Sequence, residues 1–341
     1  MNRLTATFSL DAGQAAQLKK QMLNWVNQFG IFLFLDSNDY PDRYGQYDCL
    51  LAAGAAREIH SGNDISEGLA ALQAYAGDWL FGHISYDCKD LLEPRLSSSH
   101  TARHHYPLFY FFCPEIVCII VRGGQALRIE TTGINPESVY RQINECDPVV
   151  RAPLPALDFR QRMERVAYTD TIQTLRRHIA EGDCYEVNFC SEGYSPDAIV
   201  DPLQVFAHLN HLSPAPFAAY YRLNDRYMIC ASPERYLQKK GSILRSQPIK
   251  GTARRDPDRE KDMQIRNALK EDIKECAENI MIADLVRNDL ARSCVPGSIQ
   301  AEELLTIYSY PQVHQMISTI SGTIRPDVHF TDAIRYSFPM G

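Results

Sequence analysis

Apolar residues arrive in short runs over the first part of the chain. Ile31-Phe32-Leu33-Phe34-Leu35 and Val117-Cys118-Ile119-Ile120-Val121 are rich in β-branched and aromatic side chains and too short for buried helices, so they predict strands. One early helix is expected near residues 12–29. The region from about residue 5 to 132 therefore reads as sheet-rich. The polar stretch Ser97–Tyr106, SSSHTARHHY, predicts a loop, and three prolines between Asn144 and Leu157 predict a connector. A boundary falls there, between an N-terminal region (1–145) and a second region (158–341), without implying two independent folding units.

Beyond the connector, Tyr168, Ile172, Leu175 and Ile179 recur at helical spacing, with Thr169 and Asp170 at the start and Gly182 just past the end. In Tyr185-Glu186-Val187-Asn188-Phe189, apolar and polar residues alternate; this predicts a strand with Glu186 and Asn188 on one face. Further strands are expected at 217–223, 227–231 and 243–247. Two helices should follow between Asp258 and about Leu290, with Asp256-Pro257 as a start signal and Asp272 as a cap or break. Runs of strands joined by short turns, with helices grouped, favour an antiparallel α+β arrangement over a doubly wound sheet.

Composition narrows the class without changing the fold. With 341 residues, 45% of them hydrophobic and 23% charged, the chain can bury a substantial core. A formal net charge of −7 argues against nucleic acid or an anionic membrane as the main partner, although an anionic small molecule can still meet a locally basic pocket. Ten scattered cysteines form no C-x-x-C pair, the N-terminus lacks the layout of a signal peptide, and no apolar run reaches the length of a membrane span. Reduced thiols in the cytoplasm are the expected setting.

Three groups of residues could carry chemistry. Ser232-Pro233-Glu234 precedes Lys250 by a strand and a turn that can fold back as a hairpin, which would set a carboxylate against an amine. Desolvation makes such a pair fit for acid and nucleophile work; a solvated surface lysine is the plain alternative. Gly251-Thr252 offers amide donors and a hydroxyl for gripping a carboxylate, or simply a turn. Glu271, Glu275 and Glu278 are spaced to share one helix face, as Mg²⁺ ligands or as a solvated stripe in which Lys274 pairs with Glu278. Asp284, Arg287, Asn288 and Asp289 follow an apolar run and are expected to enter or border the core, paired with one another. His314, in Val313–Thr319, is by itself more readily a structural residue than a catalyst.

In order and spacing these blocks resemble the chorismate-utilising enzymes, a family that includes anthranilate, aminodeoxychorismate, isochorismate and salicylate synthases. The resemblance covers Gly182–Asn188, Ser232-Pro233-Glu234, Pro248–Arg255, Lys274–Asn279 through Arg287–Leu290, and Ser318–Gly322, and the first region adds Gly82-His83-Ile84-Ser85-Tyr86-Asp87. It implies two large, mainly antiparallel sheets packed together with helices outside. It also implies Mg²⁺ as cofactor, with Glu278 as a ligand and Glu275 holding a metal-bound water. Gly251 and Thr252 would grip the substrate, and Glu234 would be the general acid. Lys at position 250 is similar to the aminodeoxychorismate synthase branch (component I), where it is a nucleophile; anthranilate synthases carry a small residue there. The implied reaction turns chorismate and ammonia, delivered by a glutamine amidotransferase subunit, into 4-amino-4-deoxychorismate for p-aminobenzoate and folate.

Two positions depart from the family pattern. Gln315 stands where relatives carry His, with His314 one step earlier, and Gln315 can take the substrate-binding role as a hydrogen-bond donor. If this stretch is a helix, a one-residue shift turns the side chain by about 100°. Glu186 stands where ammonia-using relatives have Gln, and it is a substrate-binding candidate. Ser337–Gly341 resembles the start of a further motif, so the chain as it ends at Gly341 is expected to lack part of the fold and to be inactive alone. Anthranilate synthase component I, or a non-catalytic remnant that binds chorismate or the glutaminase, are the alternatives.

Overall fold

The computed structural model describes residues 2–61, 64–75, 77–93, 95–96 and 103–339. In chain order the strands are β1 (Leu4–Ser9), β2 (Ile31–Asp36), β3 (Tyr47–Ala53), β4 (Arg57–His60), β5 (Phe81–Ile84), β6 (Phe109–Cys113), β7 (Ile116–Val121), β8 (Ala126–Thr131), β9 (Arg160–Gln161), β10 (Gly193–Tyr194), β11 (Phe217–Leu223), β12 (Arg226–Ser232), β13 (Arg235–Lys240), β14 (Ile243–Gln247), β15 (Ile249–Arg254), β16 (Gln300–Ser309) and β17 (Val313–Thr323). The helices are α1 (Gln14–Val26), α2 (Ile65–Ala74), α3 (Lys89–Leu92), α4 (Pro136–Glu145), α5 (Arg165–Glu181), α6 (Pro202–Leu212), α7 (Arg259–Glu271), α8 (Ile273–Ala291) and α9 (Phe330–Ser337). The expected α+β class holds, with antiparallel pairing throughout both large sheets.

Two compact units emerge: residues 1–150 with 206–341, and residues 151–205. In the larger unit the first sheet runs β1-β8-β7-β3-β2-β11-β12, so β11 and β12, far along the chain, complete a sheet begun by the first strands. The expected runs at 31–35 and 117–121 are its central strands, and their side chains, with Tyr110, Phe112 and Tyr221, build a large apolar cluster. Gly82 is forced by this packing: a Cβ there would lie 2.1 Å from the carbonyl oxygen of Tyr110 in the neighbouring strand. Of the loop expected at 97–106, residues 97–102 lie outside the described residues, and 103–106 are irregular.

The second large sheet is organised around β17, which is almost wholly buried. β15 and β14 line one edge of it in succession, β16 lines the other, and β13 pairs outside β14. Polar pairs join this sheet to the N-terminal region. Buried Arg235 binds the Asp42 carboxylate. The ring of Tyr44 lies under the Arg245 guanidinium at 4.0 Å while its hydroxyl donates to Glu302 at 2.9 Å. Arg245 itself donates to Glu302 at 2.8 Å.

Several local expectations need correcting. Residues 185–189 are irregular rather than a strand: Tyr185 and Val187 are exposed, and among the described residues no strand pairs with them, so the alternation there does not build a buried strand face. The preceding helix is present but starts earlier. It begins at Arg165, and Thr169 donates its hydroxyl back to the Arg165 carbonyl inside the helix instead of capping it. Gly182 does end it, in the left-handed conformation that glycine tolerates best. Residues 313–323 form a strand, so one step along it reverses the side chain to the other face instead of rotating it by a helical increment.

A methyl group at position 82 cannot be accommodated without parting β5 from β6. Gly82→Ala should therefore destabilise the protein by about 3 kcal/mol, read as a lower urea midpoint.

Candidate active site

The hairpin of β13 and β14 does what the spacing implied. Arg235 pairs with Gln247, which sets the residues flanking the hairpin side by side. Glu234 accepts a hydrogen bond from the Ile249 amide at 3.3 Å, and its own amide donates to the Ser232 hydroxyl at 3.2 Å. Glu234 is exposed by area, yet it lines a cavity of about 430 Å³ with Asp36, Arg122, Phe217 and Tyr236. The walls of that cavity take part of its carboxylate out of water. That partial desolvation raises its pKa above the ordinary carboxylate value, while the Ile249 amide and the charge of Lys250 pull the other way.

Lys250 and Gly251 sit on a register shift. Ile249 opposes Ile317 and Thr252 opposes Gln315, so Lys250 and Gly251 together face the single residue Met316. Gly251 has φ +89°, in the left-handed region, and a Cβ on it would lie 3.2 Å from a carboxylate oxygen of Glu275. Glycine is thus required both by the backbone and by the close approach of α8. Lys250 is half-buried and Thr252 exposed.

α8 supplies the carboxylates. Asp272 ends α7 and caps α8, accepting from the Glu275 amide at 2.9 Å, so Glu271 belongs to the preceding helix and the expected three-residue stripe is broken. Glu275 and Glu278 remain, one turn apart, and the Lys274 ammonium lies 3.3 Å from the first and 2.8 Å from the second. The expected Lys274–Glu278 pair is present. The same ammonium marks a point that both carboxylates reach, and two oxygen-donor side chains converging on one cation match what Mg²⁺ takes from a protein.

The remaining candidates separate. His314 is buried, contacting the Ser309 hydroxyl at 2.8 Å and Asp262 at 3.0 Å, which makes it a satisfied structural residue. Gln315, on the opposite face of β17, has a buried side-chain oxygen with no hydrogen-bond partner among the described residues. Glu186 lies in the unit formed by residues 151–205, on irregular backbone. Asp284, Arg287 and Asn288 are on the surface, not in the core. Asp284 and Arg287 make an exposed pair at 2.7 Å, because the preceding apolar run wraps round α8 instead of keeping to one face. Asp289 alone is half-buried, and its carboxyl is pushed up to about 6 by burial, opposed by Arg292. Sequence reasoning assigned no task to Asn279. It is fully buried between α8 and the second sheet, and its spacing of four residues from Glu275 was the available signal.

Residues 32–341 match the family described as chorismate binding enzyme. Aminodeoxychorismate synthase component 1 of Salmonella typhimurium is 37% identical over 203 residues, 59% of this chain and 44% of that protein. The protein of the same name from Bacillus subtilis is 29% identical over 248 residues, 69% and 53% of the two chains. The chain thus spans about half the length of the curated relatives it matches. Among solved structures, anthranilate synthase component I of Streptococcus pneumoniae superposes with a TM-score of 0.73 at 20% identity, covering 88% of this chain and 74% of that one; this likeness concerns the fold alone.

The Asp289 carboxyl is protonated in both folded and unfolded states below about pH 3, and above about pH 6 its charge burdens only the folded state. Asp289→Asn should therefore stabilise the protein at pH 7 by on the order of 1 kcal/mol, after allowing for its solvent access, with the gain shrinking as pH falls below about 6 and vanishing by about pH 3 in urea titrations.

Proposed function

Because the chain belongs to the chorismate binding enzyme family, we propose that it carries the chorismate-using active site of an aminodeoxychorismate synthase, with Lys250 as nucleophile and Glu234 as general acid. The observation that supports the reading is the Glu234 carboxylate held by the Ile249 amide, one residue before Lys250, whose charge acts on that carboxyl.

In this reading the Lys250 Nζ bonds to C2 of chorismate, the ring electrons shift, and the C4–O bond breaks. The Glu234 proton leaves with the hydroxyl as water. Ammonia then bonds to C4, the electrons shift back, and the C2–Nζ bond breaks to release Lys250 and 4-amino-4-deoxychorismate. Splitting one displacement into two lowers each barrier. A raised pKa at Glu234 suits the first step, because the acid keeps its proton to higher pH than an ordinary glutamate.

The Gly251 and Thr252 amides and the Thr252 hydroxyl would grip a substrate carboxylate. Gln315, with its unmatched acceptor oxygen, is a further candidate for substrate contact, and its amide can donate. Glu186 is retained as a substrate-binding candidate from its place in the family motif. Glu275 and Glu278 would hold Mg²⁺, which, when bound, supplies positive charge to a carboxylate of the substrate. Since several relatives bear the name component 1, we infer a glutamine amidotransferase partner as the source of ammonia. No helix among the described residues is long and apolar enough to cross a membrane, and a cytoplasmic setting for p-aminobenzoate and folate synthesis fits this reading.

The gene product, incubated with chorismate, Mg²⁺ and ammonium, should release 4-amino-4-deoxychorismate, identified by mass spectrometry; anthranilate as the main product would overturn the assignment. Lys250→Ala should abolish product. Glu234→Gln should lower kcat by about 10²- to 10⁴-fold, and it should remove the alkaline limb of the pH profile, on which the parent loses rate as pH rises through the raised Glu234 pKa.

A further inference from the structure

A register shift of two residues against one breaks the regular ladder and leaves main-chain groups to be satisfied from elsewhere. Here the donor is a side chain from a helix. The Asn279 amide donates to the Lys250 carbonyl at 3.3 Å and to the Met316 carbonyl at 2.9 Å, the two residues that face each other across the shift. Its orientation is determined by a second link: the Ser318 hydroxyl donates to the Asn279 side-chain oxygen, and Ser318 in turn accepts from the Leu305 amide at 3.2 Å. Two carbonyls on one end and a donating hydroxyl on the other fix which end of the amide carries nitrogen.

Asn279 follows Glu275 by one helical turn, so the two share a face of α8. That face meets the bulge at successive points, Glu275 at Gly251 and Asn279 at Lys250. We propose that Asn279 is the positioning residue for Lys250: by holding its carbonyl, the amide fixes where the lysine side chain leaves the backbone relative to Glu234 and to the carboxylates of α8. The inference rests on the role given to Lys250 above, but the arrangement it describes can be tested without turnover.

In Asn279→Asp the shape is kept while an oxygen replaces the nitrogen that donates to both carbonyls. Lysines of this chain are acetylated with limiting acetic anhydride at fixed pH, and the rate at Lys250 is divided by that at exposed Lys240 using peptide mass spectrometry. The ratio should rise by about tenfold as the released bulge exposes Lys250, the scale of one lost buried hydrogen bond. An unchanged or lower ratio in a folded variant overturns the proposal. Should Asn279→Asp fail to fold, Ser318→Ala, which frees the amide to turn, is read by the same ratio and the same criterion. In the gene product, Asn279→Asp should lower kcat by about 10- to 100-fold and leave KM for chorismate within about twofold; a loss confined to KM also overturns it. A parent protein that makes no aminodeoxychorismate would remove the proposed function, while the acetylation ratio would still decide whether Asn279 positions Lys250.

Discussion

Everything placed at the candidate site depends on one mismatch in hydrogen-bond register, where Lys250 and Gly251 together oppose Met316. A regular strand would point Lys250 and Gly251 to opposite faces and keep α8 a full side chain away. The extra residue lets Gly251 take a positive φ and lets Glu275 approach its α-carbon, while the Lys250 carbonyl accepts from the Asn279 amide of α8. Strand-to-helix contact at side-chain-free backbone sets the Lys250–Gly251 turn directly beside Glu275 and Asn279 of α8. β17 supports this from behind. Flanked on both edges and buried along most of its length, it gives the bulge a rigid partner.

Much of the fold was legible because hydrophobic burial and strand period coincide where both faces of a strand are covered. Ile31–Leu35 and Val117–Val121 are such strands, and the span 243–247 matched to the residue. The Ser232–Lys250 hairpin was legible for a different reason: a short turn between two strands leaves few geometries. Period alone failed at Tyr185–Phe189, since alternation means a strand only when a partner supplies hydrogen bonds. It failed again at Asp284–Asp289, where an apolar run was taken to draw its polar neighbours inward although α8 carries apolar residues on several sides.

The site was legible as residue types and illegible as contacts. Glu234, Lys250, Gly251, Glu275 and Glu278 could be named through the order and spacing of a family pattern, since their residue types alone left a surface turn or a solvated stripe as the plainer reading. Asn279 could not, because its task is to replace backbone hydrogen bonds that a bulge removes, and sequence gives no sign of a bulge until the register of the partner strand is known. The Gln315–His314 question had the same character. Once the segment is a strand, the two side chains face opposite ways, and the contacts of His314 with Ser309 and Asp262 commit it to the α7 side. Gln315 is left with an unmatched buried oxygen on the other.

A buried acceptor without a donor costs on the order of 1–3 kcal/mol, so Gln315 is expensive as a purely structural residue. The neighbouring positions on its face of β17 show how such a cost is normally avoided. Thr319 is tied to both Gln247 and Glu303, and Glu303 in turn receives the Tyr308 hydroxyl at 2.6 Å. A glutamine in the same row could have joined that network and does not. The expense is accounted for if a donor arrives with a bound molecule. Gln315 also stands opposite Thr252 across the ladder, next to the turn that would hold the molecule's carboxylate, so any such donor would enter from the side on which Lys250 and Gly251 leave the regular strand.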